Sequence, residues 1–208
     1  MVGEGVLHEC LLSPEVEQVL VINRRPCGVV HPKLTEVLHQ NFLDISPILP
    51  QLQGYNACFF CLGVSSVGMN EKEYSRFTYD LTLHFGSSLA TLNPGMTFIY
   101  ISGSGTDSTQ KGRQMWARVK GKTENDLMKL PFKKVYAFRP GYMIPTKGLK
   151  NTLPLYKPLG LLNPVLKLFT GFVSTLAQVG QAMIHAVTLG YEKNILEVRD
   201  IIQLAERK

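Results

Sequence analysis

The 208-residue sequence predicts an α/β fold, a three-layer sandwich with a mostly parallel sheet between helices on both faces. Three observations predict it. The hydrophobic period alternates between that of a strand and that of a helix along the chain. Ala57-Cys58-Phe59-Phe60-Cys61-Leu62 is wholly apolar and stops at Gly63, as a strand buried on both faces does. Residues 71–92 place Phe77, Leu81, Phe85, Leu89 and Leu92 on one stripe at helical spacing.

The elements follow in order. Residues 3–12 read as a helix closed by Ser13-Pro14, and 18–23 as a strand. A weaker strand spans 34–40, and the proline-containing stretch 46–52 reads as a short helix or turn. The strand 57–62 precedes the helix 71–92, which ends at Asn93-Pro94-Gly95. Residues 96–101 form the next strand and Ser102-Gly103-Ser104-Gly105 the loop after it. A helix over 115–130 leads to a strand at 135–138 and then to Arg139-Pro140-Gly141. Residues 142–172, with many prolines, glycines and aromatics, read as a substrate-side lobe or lid. A helix at 173–189, a strand at 193–198 and a helix at 199–207 complete a single domain over 1–208. Ligands of such sheets bind beyond the carboxyl ends of the strands. Asn23, Asp44, Gly63, Ser102 and Arg139 each follow a strand end and are expected to converge on one cleft.

Composition narrows the function. Apolar residues make up 45% and the formal net charge is +6. The basic residues are scattered, without zinc-finger spacing, a basic helix or an RNA-recognition signature, so nucleic acid is not an expected partner. No apolar run reaches the roughly 20 residues of a membrane helix, so no membrane association is expected either. The four cysteines, in a chain with no signal peptide, read as reduced and cytoplasmic. Cys58 and Cys61 point to opposite faces of a strand, which argues against a redox pair or a metal site.

The opening run, Met1-Val2-Gly3-Glu4-Gly5-Val6-Leu7, reads as the tail of a glycine-rich turn from strand to helix. The preceding strand and the first glycines are lacking, so the expected form is an N-terminally truncated Rossmann-like sandwich. With its central strand absent, the strands at 18–23 and 57–62 are each expected to keep an unpaired edge. The apolar run ending in Asn23-Arg24-Arg25 stands where such a half-unit reads the adenosine ribose. Arginines there favour the extra phosphate of NADP, because a guanidinium fork matches a phosphate dianion; NAD is the other possibility. Ser102 and Ser104 follow a strand end, and Trp116 and Lys120 share one helix face at i, i+4. Plain structural roles stand beside these: turns for Ser102, Ser104 and Asp44, packing for Trp116, a solvated loop for Arg24 and Arg25.

The chain resembles an atypical short-chain dehydrogenase/reductase, close to the Tat-interacting oxidoreductase-like proteins and the NAD(P)H-binding domains grouped with them. The resemblance rests on Val21-Ile22-Asn23-Arg24-Arg25, Cys58-Phe59-Phe60-Cys61-Leu62-Gly63, Ile101-Ser102, Val119-Lys120-Gly121-Lys122-Thr123-Glu124 and Phe138-Arg139-Pro140-Gly141. It implies NADP(H) in the cleft. Gly3 would be the last glycine of the fingerprint, Arg24 and Arg25 the phosphate readers, and Leu43 and Asp44 the adenine neighbours. Leu62 and Gly63 would pass under the cofactor backbone. Lys120 would touch the nicotinamide ribose, and Pro140, Gly141 and Tyr142 would lie beside the nicotinamide. The family's catalytic serine and Tyr-x-x-x-Lys pair fall on Ser102 and Lys120, with Trp116 at the tyrosine position. An indole N–H donates hydrogen bonds but does not titrate usefully, so it cannot act as general acid. Tyr142 and Tyr156 are substitute donors to consider.

The expected function is therefore an NADP(H)-binding protein, a weak reductase of a small carbonyl compound. The alternatives are a non-catalytic regulatory or scaffold protein that keeps the fold and a nucleotide-sugar epimerase-like enzyme. The expected partners are a small-molecule substrate or none, with the protein a monomer or a strand-swapped dimer.

Overall fold

In the computed structural model, residues 1–146, 148–149 and 171–207 are described. Helix α1 (Val2–Leu12) ends where Ser13 turns extended, as a residue before proline must. Strands β1 (Val19–Asn23) and β2 (Leu34–Leu38) follow, then a 3₁₀ helix (Ser46–Leu52) and strand β3 (Ala57–Phe60). Pro47 and Pro50 each remove a backbone donor from the 3₁₀ segment, which keeps it short.

The stretch 71–92 is not one regular helix. It divides into α2 (Glu71–Ser75), a π-helical turn (Arg76–Asp80) and α3 (Leu81–Leu92). Asn70 caps α2 by accepting the Glu73 N–H at 3.0 Å. The π turn takes in an extra residue, which rotates the expected stripe. Leu81, Phe85 and Leu89 stay in the core, whereas Phe77 is 38% exposed.

Strand β4 (Thr97–Ile101), helix α4 (Met115–Leu127) and strand β5 (Lys134–Arg139) come next. Two short strands not foreseen in the sequence, β6 (Tyr142–Ile144) and β7 (Val173–Thr175), pair in parallel. β6 opens the expected lobe 142–172 and β7 follows directly after it, while most of the lobe, with Tyr156, lies outside the described residues. Helix α5 (Leu176–Thr188) starts at a reciprocal cap between Thr175 and Gln178, so the first three residues of the expected helix 173–189 are strand. Strand β8 (Ile195–Glu197) and helix α6 (Val198–Ala205) close the described chain.

Every described strand pair is parallel. The main sheet runs β3-β4-β5-β8, and β1-β2 and β6-β7 form separate two-stranded sheets. Alternation on β4 sorts the core into two layers. Phe98 and Tyr100 pack with the 3₁₀ helix, α3 and Leu127 of α4. Ile99 and Ile101 face α1, α5 and α6. Helices α1 and α5 cross closely through glycines: a Cβ on Gly180 would lie 2.7 Å from the Glu9 side chain, and one on Gly5 would lie 3.0 Å from Leu176.

The β1-β2 pair and the four-stranded sheet contribute to the same two cores. Val19 of β1 and Phe59 of β3 feed one core, while Leu20, Ile22, Cys58 and Phe60 feed the other. Among the described residues, no strand is hydrogen-bonded between β1 and β3. The 57–62 run reads as a strand buried on both faces, yet Ala57, Cys58 and Phe59 are only half-buried, as are all five residues of β1. The corresponding residues of β4, paired on both edges, are buried.

Candidate functional site

The carboxyl ends of β4, β5 and β8 meet α4 around one buried carboxylate. Glu124 lies on the buried face of α4 and is 1% exposed. Its Oε1 accepts the Ser102 hydroxyl at 2.5 Å and Arg139 Nε at 3.0 Å, and its Oε2 accepts Arg139 Nη2 at 2.5 Å. Arg139 also donates to Glu197 Oε1 at 3.1 Å and to Ser108 Oγ at 2.6 Å. The guanidinium fork thus ties the ends of three strands to the loop after β4. Neither Glu124 nor Glu197 stands out in the sequence as a site residue. The available signal is a glutamate on the apolar face of α4, four residues after Lys120.

Ser102 is 4% exposed, and its hydroxyl also lies 3.2 Å from the Phe138 carbonyl. Its oxygen is committed to this network. Lys120, one helical turn before Glu124, donates to the Ser102 carbonyl. Burial pulls the Lys120 ammonium down to about pKa 8, and the neighbouring Glu124 charge opposes that fall. Trp116 is half-buried; its indole N–H donates to Gln114 Oε1 at 2.8 Å, and its ring edge would lie 3.4 Å from a Cβ on Gly105. Ser104 and Pro140 are joined through the Ser104 N–H and the Pro140 carbonyl at 2.9 Å. Ser102, Ser104, Lys120, Arg139 and Pro140 therefore form one connected patch.

Gly141 has a packing reason for being glycine. A Cβ there would lie 2.2 Å from the Phe172 carbonyl oxygen. Tyr142 donates its backbone N–H to the same carbonyl at 2.9 Å and is half-buried.

The adenosine-side residues sit on the other sheet. Asn23 ends β1 and donates to Glu36 at 2.8 Å, which holds the Glu36 carboxyl below its usual range. Arg24 and Arg25 are exposed, and among the described residues neither makes an ion pair. Asp44 is exposed and accepts the Ser46 hydroxyl and N–H at 2.6 and 3.0 Å, a turn-forming arrangement that lowers its carboxyl pKa. Leu43 is half-buried and packs beside the core formed by the 3₁₀ helix. Gly3 lies exposed in the first turn of α1, its Cβ direction 3.4 Å from Cys61 Cβ. Leu62 packs against the core, whereas a Cβ on the exposed Gly63 would meet nothing within 4 Å. Cys58 and Cys61 enter opposite cores, and burial pushes both thiols up, Cys61 to about 12. Such thiols are inert at neutral pH. An open cavity of about 470 Å³ lies at the other end of the sheet, between Thr97, Lys134, Gly190 and Arg207, away from these residues.

No family model matches the chain. It is 22% identical over 219 residues to Protein FMP52-1, mitochondrial, of Scheffersomyces stipitis, covering 100% of this chain and 95% of that protein. Solved structures share the fold at low identity. A UDP-N-acetylglucosamine 4-epimerase from Methanobrevibacter ruminantium, in complex with UDP-N-acetylmuramic acid, matches with a TM-score of 0.65 at 13% identity, covering 98% of this chain and 77% of its own. The dTDP-glucose 4,6-dehydratase DesIV from Streptomyces venezuelae, with NAD and TYD bound, gives 0.64 at 12%, covering 98% and 76%. WbmF from Bordetella bronchiseptica, in complex with NAD+, gives 0.62 at 15%, covering 97% and 73%. The fold is α/β and Rossmann-like, as the strand and helix alternation predicts. Among the described residues, no helix is long and apolar enough to cross a membrane.

Proposed function

We propose that the chain is an NADP(H)-binding protein of the short-chain dehydrogenase class, a weak reductase of a small carbonyl compound. The observation that carries this reading is the pair of exposed guanidinium groups of Arg24 and Arg25, which immediately follow β1 and make no ion pair among the described residues. Two further observations support it. Gly63 lacks a side chain where protein packing does not require that, which leaves room for a ligand backbone. Lys120 sits half-buried at the carboxyl end of the sheet. DesIV and WbmF are described with NAD, so a nicotinamide dinucleotide is the shared chemistry and the extra phosphate is this reading's own addition.

In this reading Arg24 and Arg25 hold the ribose phosphate, with Asn23, Leu43 and Asp44 around the adenosine. Leu62 and Gly63 pass beneath the cofactor, and Lys120, Pro140, Gly141 and Tyr142 bound its nicotinamide end. The first turn of α1 at Gly3 offers backbone N–H groups to the diphosphate. When bound, the cofactor supplies or takes a hydride. Trp116 gives no general acid, a loss of about 10²- to 10⁴-fold in rate, so turnover is expected to be slow. The buried engagement of the Ser102 hydroxyl with Glu124 favours a second reading, a non-catalytic protein that keeps the pocket.

Fluorescence of Trp116, the only tryptophan, tests the site. NADPH is expected to quench it or to accept energy from it, and no change at saturating NADPH would sink the placement of the nicotinamide end. Arg24→Ala with Arg25→Ala is expected to weaken NADPH binding by about 1.5–3 kcal/mol, roughly 10- to 150-fold, and to leave NADH unchanged. Calorimetry showing equal losses for both dinucleotides would remove the phosphate-reading role. A cytoplasmic location and a mitochondrial one, the word in the name of FMP52-1, are separated by cell fractionation.

A further inference from the structure

We propose that Glu124, clamped by Arg139, is a positioning residue for Lys120: it fixes the place of the ammonium group and keeps it charged. The relation to nucleotide binding rests on the reading above; the positioning itself does not. Lys120 and Glu124 lie one turn apart on α4 and are joined through a single residue. The Ser102 carbonyl accepts from Lys120, and the Ser102 hydroxyl donates to Glu124 at 2.5 Å. Ser102 is itself held by its N–H to the Phe138 carbonyl at 2.9 Å. Arg139, one residue further along β5, grips both Glu124 oxygens. The ammonium, the carboxylate and the Pro140-Gly141 strip therefore cannot shift independently.

A buried ion pair is a poor way to gain stability, since desolvation offsets most of the attraction. A 1%-exposed carboxylate with all these partners is better explained by what it does to its neighbour. Burial draws the Lys120 ammonium down from the ordinary lysine range toward about 8, and Glu124 is the charge that opposes this fall. Other charged groups packed about α4 are engaged elsewhere. Glu71 of α2 pairs with Arg118, Asp126 pairs with Lys129 and accepts from Tyr79 of the π turn, and Lys122 lies over the Tyr79 ring. Arg139 is turned to Glu124 and Glu197, and Asp107 in the loop after β4 is bound by Thr109 and Gly112.

The test is a pH titration of the full chain carrying ¹³Cε-lysine, read by NMR. The Lys120 signal is the one missing from Lys120→Arg. A midpoint near 8 is expected for the natural sequence. In Glu124→Gln the midpoint is expected to fall by about 1 pH or more, while Glu124→Asp, which keeps the charge, stays close to the natural value. The double variant Glu124→Gln, Arg139→Gln leaves no unpaired charge at this corner and is expected to show a smaller fall of the same sign, because the Arg139 charge that opposes Glu124 goes with it; this covers the case where the single variant does not fold. An unmoved midpoint in a folded Gln variant, or equal movement in Gln and Asp, overturns the proposal. NADPH added to the natural chain separates the two questions: a Lys120 signal blind to NADPH removes the cofactor reading, while a Gln-dependent midpoint still upholds the positioning role.

Discussion

Arg139→Met is expected to destabilise the chain by about 3–5 kcal/mol, because it leaves Glu124 buried without its cation. Glu124 keeps only the Ser102 hydroxyl as a side-chain donor in that variant. The ends of β4, β5 and β8 lose their common tie at the same time, since Ser108 and Glu197 are both held by the same guanidinium. A total of this size is a large fraction of the roughly 5–15 kcal/mol that keeps an ordinary domain folded. Adding Glu124→Leu to Arg139→Met is expected to recover most of the loss, because a buried pair replaced on both sides by apolar groups is nearly neutral. Urea denaturation measures both. A single variant that loses less than about 1 kcal/mol would show that Glu124 finds other partners and that the clamp is not what holds this corner.

The contrast between what the sequence discloses and what it hides follows from how far each signal reaches. Elements built on local period were legible: the β4 run, the α4 helix and the α5 helix stand where their patterns put them. The π turn at Arg76–Asp80 was not, because one extra residue alters the stripe without altering composition. Strands β6 and β7 were missed because three-residue strands carry too little alternation to register, and their pairing joins segments about thirty residues apart. At the candidate site, Lys120 and Ser102 were visible as a pattern, but the carboxylate between them was not. Glu124 falls on the apolar face of α4, but its partner Arg139 lies fifteen residues away on β5, so no local pattern joins the two. Gly141 carries a constraint that the sequence does not disclose: the Phe172 carbonyl leaves no room for a Cβ there.

The 208-residue chain on its own is expected to self-associate in a concentration-dependent way, and an extended apolar peptide is expected to reverse this. β1 and β3 contribute alternate residues to the same two cores, and each presents one edge that no described strand pairs. On such an edge every second residue directs its N–H and carbonyl outward, which leaves a handful of backbone groups without partners. Each costs about 1–3 kcal/mol when shielded from water. On these half-buried strands water satisfies part of the edge and the rest, at that cost per group, still comes to several kcal/mol, so anything that supplies a matching ladder is favoured. A second copy can supply it by exchange of a strand, which makes a dimer. A free hexapeptide of β-branched residues offers the same ladder without the second copy, and both faces of it would meet apolar side chains. Sedimentation velocity and amide exchange read the two effects. The chain alone should grow in mass with concentration. With the peptide it should return to a monomer, and the amides of Val19–Asn23 and Ala57–Phe60 should gain protection. A chain that stays monomeric at every concentration, with those amides already as protected as Thr97–Ile101, would show that the two edges close on each other without any added strand.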